Sequence, residues 1–197
     1  MEKQADLRYE HVMPTRSRNT RGAAPPQLDD PRRCRWARGD ALLADYHDRE
    51  WGRPIDGDAG HLERMALEIF QCGLSWKIVL VKRPALREAF EGFDVASLAK
   101  WGDPHIARVM THPGVIRNRR KIQAVLDNAR AFAALAEEHG GYVRWFERLD
   151  VSSPTRRREV FTEFRERFRF MGPETTKCYL WGTGKIAPPH ERRCWLF

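Results

Sequence analysis

The sequence has no apolar run that approaches the roughly 20 residues of a membrane-spanning helix, although 42% of its 197 residues are hydrophobic. Residues 1–6 do not form the run of apolar residues that a secretory signal requires. Four cysteines are too few for a disulfide scaffold in a chain of this length. We therefore expect a cytoplasmic protein without a membrane segment, associated with the nucleoid if it binds DNA.

Strand patterns are also missing. No segment alternates apolar and polar residues over the length of a strand, and no tandem repeat or heptad seam is present. Helical apolar spacing recurs instead between Gly and Pro turns. The spacing predicts one helix over about 61–80, another that begins at Pro84, and a third over about 117–139. These patterns predict an all-α fold.

The N-terminal 31 residues are poor in large apolar side chains. Arg16, Arg18 and Arg21 alternate with small polar residues, and a Pro-rich stretch follows. We predict that residues 1–31 form a flexible basic tail and that residues 32–197 form the folded domain. Two interpretations of this tail remain open: that it contacts DNA, and that it is an extension without a function.

Positive charge exceeds negative charge. The chain has 35 Lys and Arg against 27 Asp and Glu, a formal net charge of +8, and its isoelectric point is about 9.7. Nucleic acid, an anionic membrane surface or an acidic protein would suit such a domain. A compositional bias towards arginine is the alternative explanation.

A pocket for a flat polar group is indicated by residues 67–76. Glu68 and Gln71 point away from the apolar stripe of the predicted helix, and Trp76 follows after Gly73, where another backbone could approach closely. Together with Tyr46, these side chains offer aromatic rings and a carboxylate. Such a set suits a positively charged alkylated purine, which aromatic rings attract through cation–π contacts. A core helix with a solvated glutamate and a buried tryptophan is the alternative.

Two Cys/His pairs lie near opposite ends of the folded segment. Cys34 precedes His47 by 13 positions, and His190 precedes Cys194 by four. Zinc binds Cys and His tetrahedrally, and four protein ligands leave no position for water, so such a site is structural. The spacing predicts a zinc clip between the two ends of the domain, with two unrelated pairs as the alternative.

A basic turn precedes the helix predicted over 117–139. Gly114 lies in a hairpin over 111–116, and four cations follow it: Arg117, Arg119, Arg120 and Lys121. Positive side chains at a helix N-terminus oppose the helix dipole unless an anion binds there. This conflict indicates a DNA phosphate site, with a solvated basic turn as the alternative.

The residues resemble the 3-methyladenine DNA glycosylase I family, within the helix-hairpin-helix glycosylases. The resemblance covers about residues 34–194. It rests on Cys34-x-Trp36, Tyr46-His47-Asp48-x-Glu50-Trp51-Gly52, Leu67-Glu68-x-Phe70-Gln71-x-Gly73-Leu74-Ser75-Trp76, Gly114-Val115-Ile116-Arg117-Asn118-Arg119-x-Lys121-Ile122-Gln123-Ala124 and Phe168-x-Phe170-x-Gly172-Pro173.

The resemblance implies a two-lobed all-α fold in which a structural zinc on Cys34, His47, His190 and Cys194 joins the N- and C-terminal segments. It implies a monofunctional enzyme that flips 3-methyladenine, or a related alkylpurine, out of double-stranded DNA and hydrolyses its N-glycosidic bond. An abasic site remains. We expect a monomer, with no membrane partner.

Site roles carry over from the resemblance. The resemblance assigns catalysis to Glu68 and Tyr46. It assigns binding of the base to Trp76, Phe70 and Leu43. DNA binding falls on Gly73 and Leu74, which fill the gap in the duplex, and on the hairpin residues Gly114, Arg117, Arg119, Arg120 and Lys121.

Several positions depart from the family pattern. Leu43 stands where a second tyrosine is usual, and Ile69 replaces a small residue beside Glu68. Glu174 is an insertion, and residues 179–189 replace the usual segment before His190. These departures raise two alternatives: that the protein acts on another alkylpurine, and that it binds lesions without cleaving them.

Overall fold

The structure is a computed structural model that describes residues 27–197, and it is helical throughout, with no strand in that range. Nine α-helices follow in order: α1 (Ala41–Arg49), α2 (Gly57–Gln71), α3 (Trp76–Ala89), α4 (Val95–Leu98), α5 (Asp103–Thr111), α6 (Arg119–His139), α7 (Tyr142–Arg148), α8 (Pro154–Arg167) and α9 (Pro173–Gly182). Short 3₁₀ turns occupy Arg35–Ala37 and Glu91–Phe93. The all-α prediction is confirmed. None of these helices is long and apolar enough to cross a membrane.

Most of the predicted tail, residues 1–26, lies outside the described residues. Residues 27–31 are hydrogen-bonded to the domain: the Arg33 guanidinium donates to the carbonyls of Gln27 and Leu28, and the Gly39 amide also donates to Leu28. The boundary at residue 31 and the division of the fold into two lobes remain predictions.

Helix α2 is the centre of the fold. It packs against α3, α6, α7 and α9, and its side chains from position 61 to position 70 are all buried. Its apolar face, which includes Leu62, Met65 and Phe70, joins an apolar cluster that continues through α6 to α9. A charged residue on α2 that points away from this cluster therefore lies against another helix rather than in water.

The prediction of one helix through residue 80 is wrong. Helix α2 ends at Gln71 and α3 begins at Trp76, because Gly73 has a φ of +84° and Ser75 accepts the Ile78 amide as an N-cap. A side chain at Gly73 would meet no atom within 4 Å, so the expected close backbone approach is also absent. Gly73 is needed here for its left-handed conformation, which costs other residues about 1–2 kcal/mol.

Two other helix starts differ from prediction. Pro84 lies inside α3 instead of beginning a helix; its ring removes one intrahelical hydrogen bond, but Leu80, Leu86 and Ala89 anchor α3 in the core on either side. Helix α6 begins two residues later than predicted, because the Asn118 side chain accepts the Lys121 amide and so fixes the N-terminus.

Candidate functional site

Four side chains form a compact group under the surface, which we call the Glu68 cluster: Tyr46 from α1, Arg64 and Glu68 from α2, and Trp76 at the start of α3. Arg64 Nη2 lies 2.5 Å from Glu68 Oε1, and the two charged side chains are only 7% and 5% exposed. The rings of Tyr46 and Trp76 lie 5.1 Å apart between centroids, tilted by 59°.

The Arg64 guanidinium lies over both rings. Its Cζ is 5.2 Å from the Tyr46 centroid and 4.7 Å from the Trp76 centroid. A side chain at Gly182 in α9 would overlap this guanidinium, so α9 leaves room for it only because a glycine stands there. The position of Arg64 is therefore fixed from three sides, by a carboxylate, by two rings and by the backbone of α9.

Burial controls the ionisation of the cluster. It raises the pKa of Glu68, against the lowering effect of the Arg64 charge. Burial also raises the pKa of Tyr46 well above its usual range, so the phenol keeps its proton. Among the described residues, the Tyr46 hydroxyl, Arg64 Nε and Trp76 Nε1 are buried without a hydrogen bond of good geometry, and the Tyr46 hydroxyl lies close enough to the Arg64 guanidinium for each to shift the pKa of the other. Buried polar groups normally have partners, and three such groups in one cluster indicate a place for a polar ligand.

The three predicted base-binding residues do not lie together. Trp76 belongs to the Glu68 cluster, and Leu43, one turn before Tyr46 on α1, is half-buried. Phe70 is fully buried in the apolar core, where its ring lies 6.2 Å from that of Phe90 and makes no ring contact with Tyr46 or Trp76. The base-binding role predicted for Phe70 is therefore corrected to a packing role, because its side chain points away from Glu68 along α2.

The two Cys/His pairs converge. The ligand atoms of Cys34, His47, His190 and Cys194 all lie within 4.8 Å of one another. The Cys194 sulfur is 3.5 Å from His47 Nε2 and 3.4 Å from His190 Nδ1, and the Cys34 sulfur is 3.6 Å from His190 Nδ1. Sulfur and nitrogen ligands at about 2.3 and 2.1 Å from a tetrahedral zinc would be about 3.6 Å apart. The donor set and its spacing thus fit zinc.

Hydrogen bonds around these ligands set their orientation. Asp48 Oδ1 lies 2.7 Å from His47 Nδ1, which turns His47 Nε2 towards the sulfurs. Arg33 in turn pairs with Asp48 at 2.7 Å. The Glu191 amide donates to the Cys34 sulfur over 3.3 Å, between the two chain ends. A carboxylate behind a ligating histidine is the usual support of a metal site.

The helix-hairpin-helix predicted from the resemblance corresponds to α5, residues 112–118 and α6. Arg117 and Arg120 are exposed, and Arg119, also exposed, pairs with Asp103 at 2.5 Å. Gly114 allows the hairpin to approach α3, since a Cβ there would lie 2.5 Å from Ala85 Cβ, and its amide donates to His112 Nδ1. The hairpin is thus a packed turn with cations on its outer side, and phosphate binding there remains a prediction.

A shallow groove beside this hairpin adds two residues that the motif analysis did not assign. Arg169 and Phe170 line it together with Arg119 and Arg120. Phe170 is 40% exposed and has a φ of +62°. Asn128 holds this segment, because its side chain accepts the Arg169 amide and donates to the Arg169 carbonyl. Residue spacing alone gives no sign of this contact across 41 positions.

Arg64 is the main functional residue that the motif analysis missed. Its signal was present in the sequence, since Arg64 and Glu68 are four positions apart and neighbours on a helix. The cue was ambiguous, because such pairs mostly lie on solvated helix surfaces. Burial of this pair comes from three residues on other helices that contact Arg64: Tyr46 on α1, Trp76 on α3 and Gly182 on α9.

The chain belongs to the methyladenine glycosylase family, whose profile it matches over residues 36–196. The resemblance stated from the motifs is thereby confirmed. The chain is 42% identical over 103 residues to a DNA-3-methyladenine glycosylase of Haemophilus influenzae, and 41% identical over 108 residues to DNA-3-methyladenine glycosylase 1 of Escherichia coli. These alignments cover 52% and 55% of this chain, and only 56% and 57% of the relatives.

The fold has a solved counterpart. A crystal structure of 3-methyladenine DNA glycosylase I superposes with a TM-score of 0.72 at 30% identity. The superposition covers 82% of this chain and 97% of that structure. The helical arrangement therefore extends beyond the segment that the sequence alignments cover.

Lys121 does not face solvent with the other hairpin cations. Its ammonium donates to the carbonyls of Phe70 and Cys72, at 3.1 and 2.5 Å, and so holds the C-terminus of α2. The side chain is 7% exposed, and burial lowers its pKa. The structure therefore gives Lys121 a structural role instead of the predicted contact with phosphate.

We expect Lys121→Met to lower the free energy of unfolding by about 2 kcal/mol, because two hydrogen bonds from a charged donor are lost. The matched variant Arg120→Met, at an exposed neighbouring position, should change it by less than about 0.5 kcal/mol. Urea unfolding followed by circular dichroism measures both. Equal midpoints for the two variants would show that Lys121 does not hold α2.

Proposed function

We propose that the protein is a DNA glycosylase that removes an alkylated purine, with 3-methyladenine as the base named for its relatives. The single observation that carries the proposal is the buried carboxylate of Glu68 in one cluster with the rings of Tyr46 and Trp76, which Arg64 joins to it, in a chain that matches the family profile around this cluster. We further propose that it acts as a monomer on double-stranded DNA in the cytoplasm.

The reaction begins with extrusion of the damaged nucleotide. Flipping requires a few kcal/mol, and less for a damaged base. The exposed turn at Gly73, with the half-buried Leu74 beside it, lies between α2 and α3 next to the Glu68 cluster, and it fills the gap in the duplex. Arg117 and Arg120 bind phosphate on the outer side of the hairpin and fix the duplex against the protein.

Hydrolysis breaks the bond between C1′ of the sugar and N9 of the purine. The electron pair leaves with the base, and positive charge develops on the sugar. Glu68 stabilises that charge from a site with little water, where electrostatic interactions are strong. A water molecule adds to C1′ and loses one proton to the solvent, and an abasic site remains. Tyr46 and Trp76 bind the base by stacking and through their free polar hydrogens.

A binding protein without cleavage is the second candidate. The departures at Leu43 and Ile69 favour it, because both positions flank the catalytic residues Tyr46 and Glu68. The two candidates differ in one observable, the release of a free base from damaged DNA.

The activity test uses duplex DNA methylated with a nitrosourea, which modifies both ring nitrogens and exocyclic oxygens, and identifies each released base by mass. We expect release of at least one methylated purine, slowed about 100-fold or more in Glu68→Gln because the carboxylate charge is lost. Glu137→Gln, an exposed glutamate on α6, should match the parent protein. Circular dichroism gives the folded fraction of each variant.

If the folded parent protein binds this DNA and releases no base, the lesion-binding function replaces the enzymatic one. If Glu68→Gln releases base as fast as the parent at equal folded fraction, Glu68 is not the catalytic group.

We also propose that Cys34, His47, His190 and Cys194 hold a structural zinc ion. Their converging ligand atoms and the Asp48 contact behind His47 support this assignment. Four protein ligands complete a tetrahedral shell, so the ion supplies folding energy and takes no part in base release.

We expect the purified protein to contain zinc in stoichiometric amount and to unfold at a lower temperature when a strong chelator removes it. Cys34→Ser should lose the metal and the stability together, whereas Cys72→Ser, at an exposed thiol outside the group, should keep both. Elemental analysis and thermal unfolding measure the two quantities. A metal-free protein with unchanged thermal stability would contradict the assignment.

A further inference from the structure

We propose that Arg169 and Phe170 bind a DNA strand beside the hairpin, in the shallow groove that they form with the first turns of α6. This inference rests on the proposed action on double-stranded DNA and adds a binding site to it. The Arg169 guanidinium binds a phosphate, and the Phe170 ring packs against a neighbouring nucleotide of the same strand.

The groove has two walls. One wall is a single face of α6, on which four lining residues follow at helical spacing: Arg120, Gln123, Ala124 and Asp127. The other wall is formed by Arg169 and Phe170. Seven residues of helix give the groove a length of roughly 10 Å, which is the rise of about three base pairs. A short stretch of one strand can therefore lie along it.

The groove carries an excess of positive charge. Asp127 is the only acidic side chain among the described residues that line it, and Arg130 pairs with this carboxylate at 2.7 Å from outside the groove. In the described part of the chain, no carboxylate pairs with Arg120 or Arg169, and both side chains are exposed. Free guanidinium groups on both walls suit the phosphates of a nucleic-acid strand, which arginine binds through two parallel N–H groups.

Phe170 has an unfavourable backbone conformation. Its φ is +62°, in the left-handed region that bulky residues rarely adopt, and 40% of the residue is exposed. Phe93 has a similar φ of +61° but is fully buried, so packing in the core compensates for its conformation. Phe170 has much less of this compensation. Strained residues of this kind occur mostly where their position serves binding or catalysis.

The backbone around Phe170 is fixed from several sides. Phe168 and Met171, on either side of the exposed pair, are buried in the apolar core. The Asn128 side chain accepts the Arg169 amide at 2.7 Å and donates to the Arg169 carbonyl at 3.1 Å. Arg169 and Phe170 therefore extend from a rigid segment, which reduces the entropy lost when a strand binds.

The groove lies beside the turn that fills the gap in the duplex. Lys121 on α6 donates to the Cys72 carbonyl, and the Cys72 sulfur lies 3.7 Å from the Thr175 hydroxyl on α9. Gly73 follows Cys72 directly. The turn is thus connected to the elements that follow both walls of the groove, so a duplex that rests on this turn brings a strand to the groove.

The test measures binding of the full-length protein and its variants to a short fluorescein-labelled duplex with one tetrahydrofuran abasic site. Fluorescence anisotropy gives the affinity over a range of salt concentrations. Arg169→Gln should weaken binding about tenfold at low salt, and the dependence of log affinity on log salt should become shallower by about one unit, because one phosphate contact is lost. Arg169→Lys should keep the parent slope. This slope does not depend on the folded fraction, which shifts log affinity equally at every salt concentration.

Phe170→Leu should weaken binding about fivefold or more without a change of the salt slope, because stacking on the ring involves no ion release. Phe170→Tyr keeps the ring and should bind within about twofold of the parent protein. Two variants at exposed positions outside the groove are matched controls, Arg165→Gln and Phe197→Leu. Both should also bind within about twofold of the parent. Circular dichroism gives the folded fraction of each variant.

The proposal is overturned if Arg169→Gln keeps the salt slope of the parent, or if Phe170→Leu binds as tightly as the parent at equal folded fraction. Base release by the parent from methylated DNA is measured separately, so the glycosylase function stands in either case when a base is released. If the parent releases no base and both variants still weaken binding as expected, the groove belongs to a lesion-binding protein. If the parent binds no duplex DNA at low salt, both claims fall.

Discussion

The ion pair between Arg64 and Glu68 is the interaction on which the site depends. A carboxylate with 5% exposure and no partner would take up a proton, because a bare charge away from water is very unfavourable. The Arg64 charge opposes the rise in the pKa of Glu68 that burial causes, so it favours the ionised carboxylate on which the proposed role of Glu68 depends. The same arginine also lies over the rings of Tyr46 and Trp76, so one side chain joins the carboxylate to the aromatic part of the site.

The surrounding helices are arranged to make that contact possible. Gly73 ends α2 soon after Glu68 and brings Trp76 back over the guanidinium, while Lys121 ties the end of α2 to α6 through two carbonyls. On the other side, the Cys/His group joins α1, which carries Tyr46, to the C-terminal segment. Gly182 at the end of α9 then closes the space beside Arg64.

Local signals in the sequence predicted much of this. The two Cys/His pairs meet as their spacing indicated, and the helix starts at Asp40, Asp94 and Ser153 also have a local cause, because each of these side chains caps its own helix. Contacts between distant residues could not be predicted. Helix α7 has no local start signal, because its N-terminus is capped by Asp58 on α2, 84 positions away from Tyr142. Burial of Arg64 was missed for the same reason, since it depends on three other helices.

The most direct test of this account is a double-mutant cycle on the free energy of unfolding, with Arg64→Met, Glu68→Gln and the double variant compared with the parent protein in urea. Each single variant leaves one buried group without its partner and should lose about 3–5 kcal/mol. The double variant should lose no more than either single one, because no charge is then left unpaired. Losses that simply add would contradict the account, since they would show that Arg64 and Glu68 do not form a buried pair in solution.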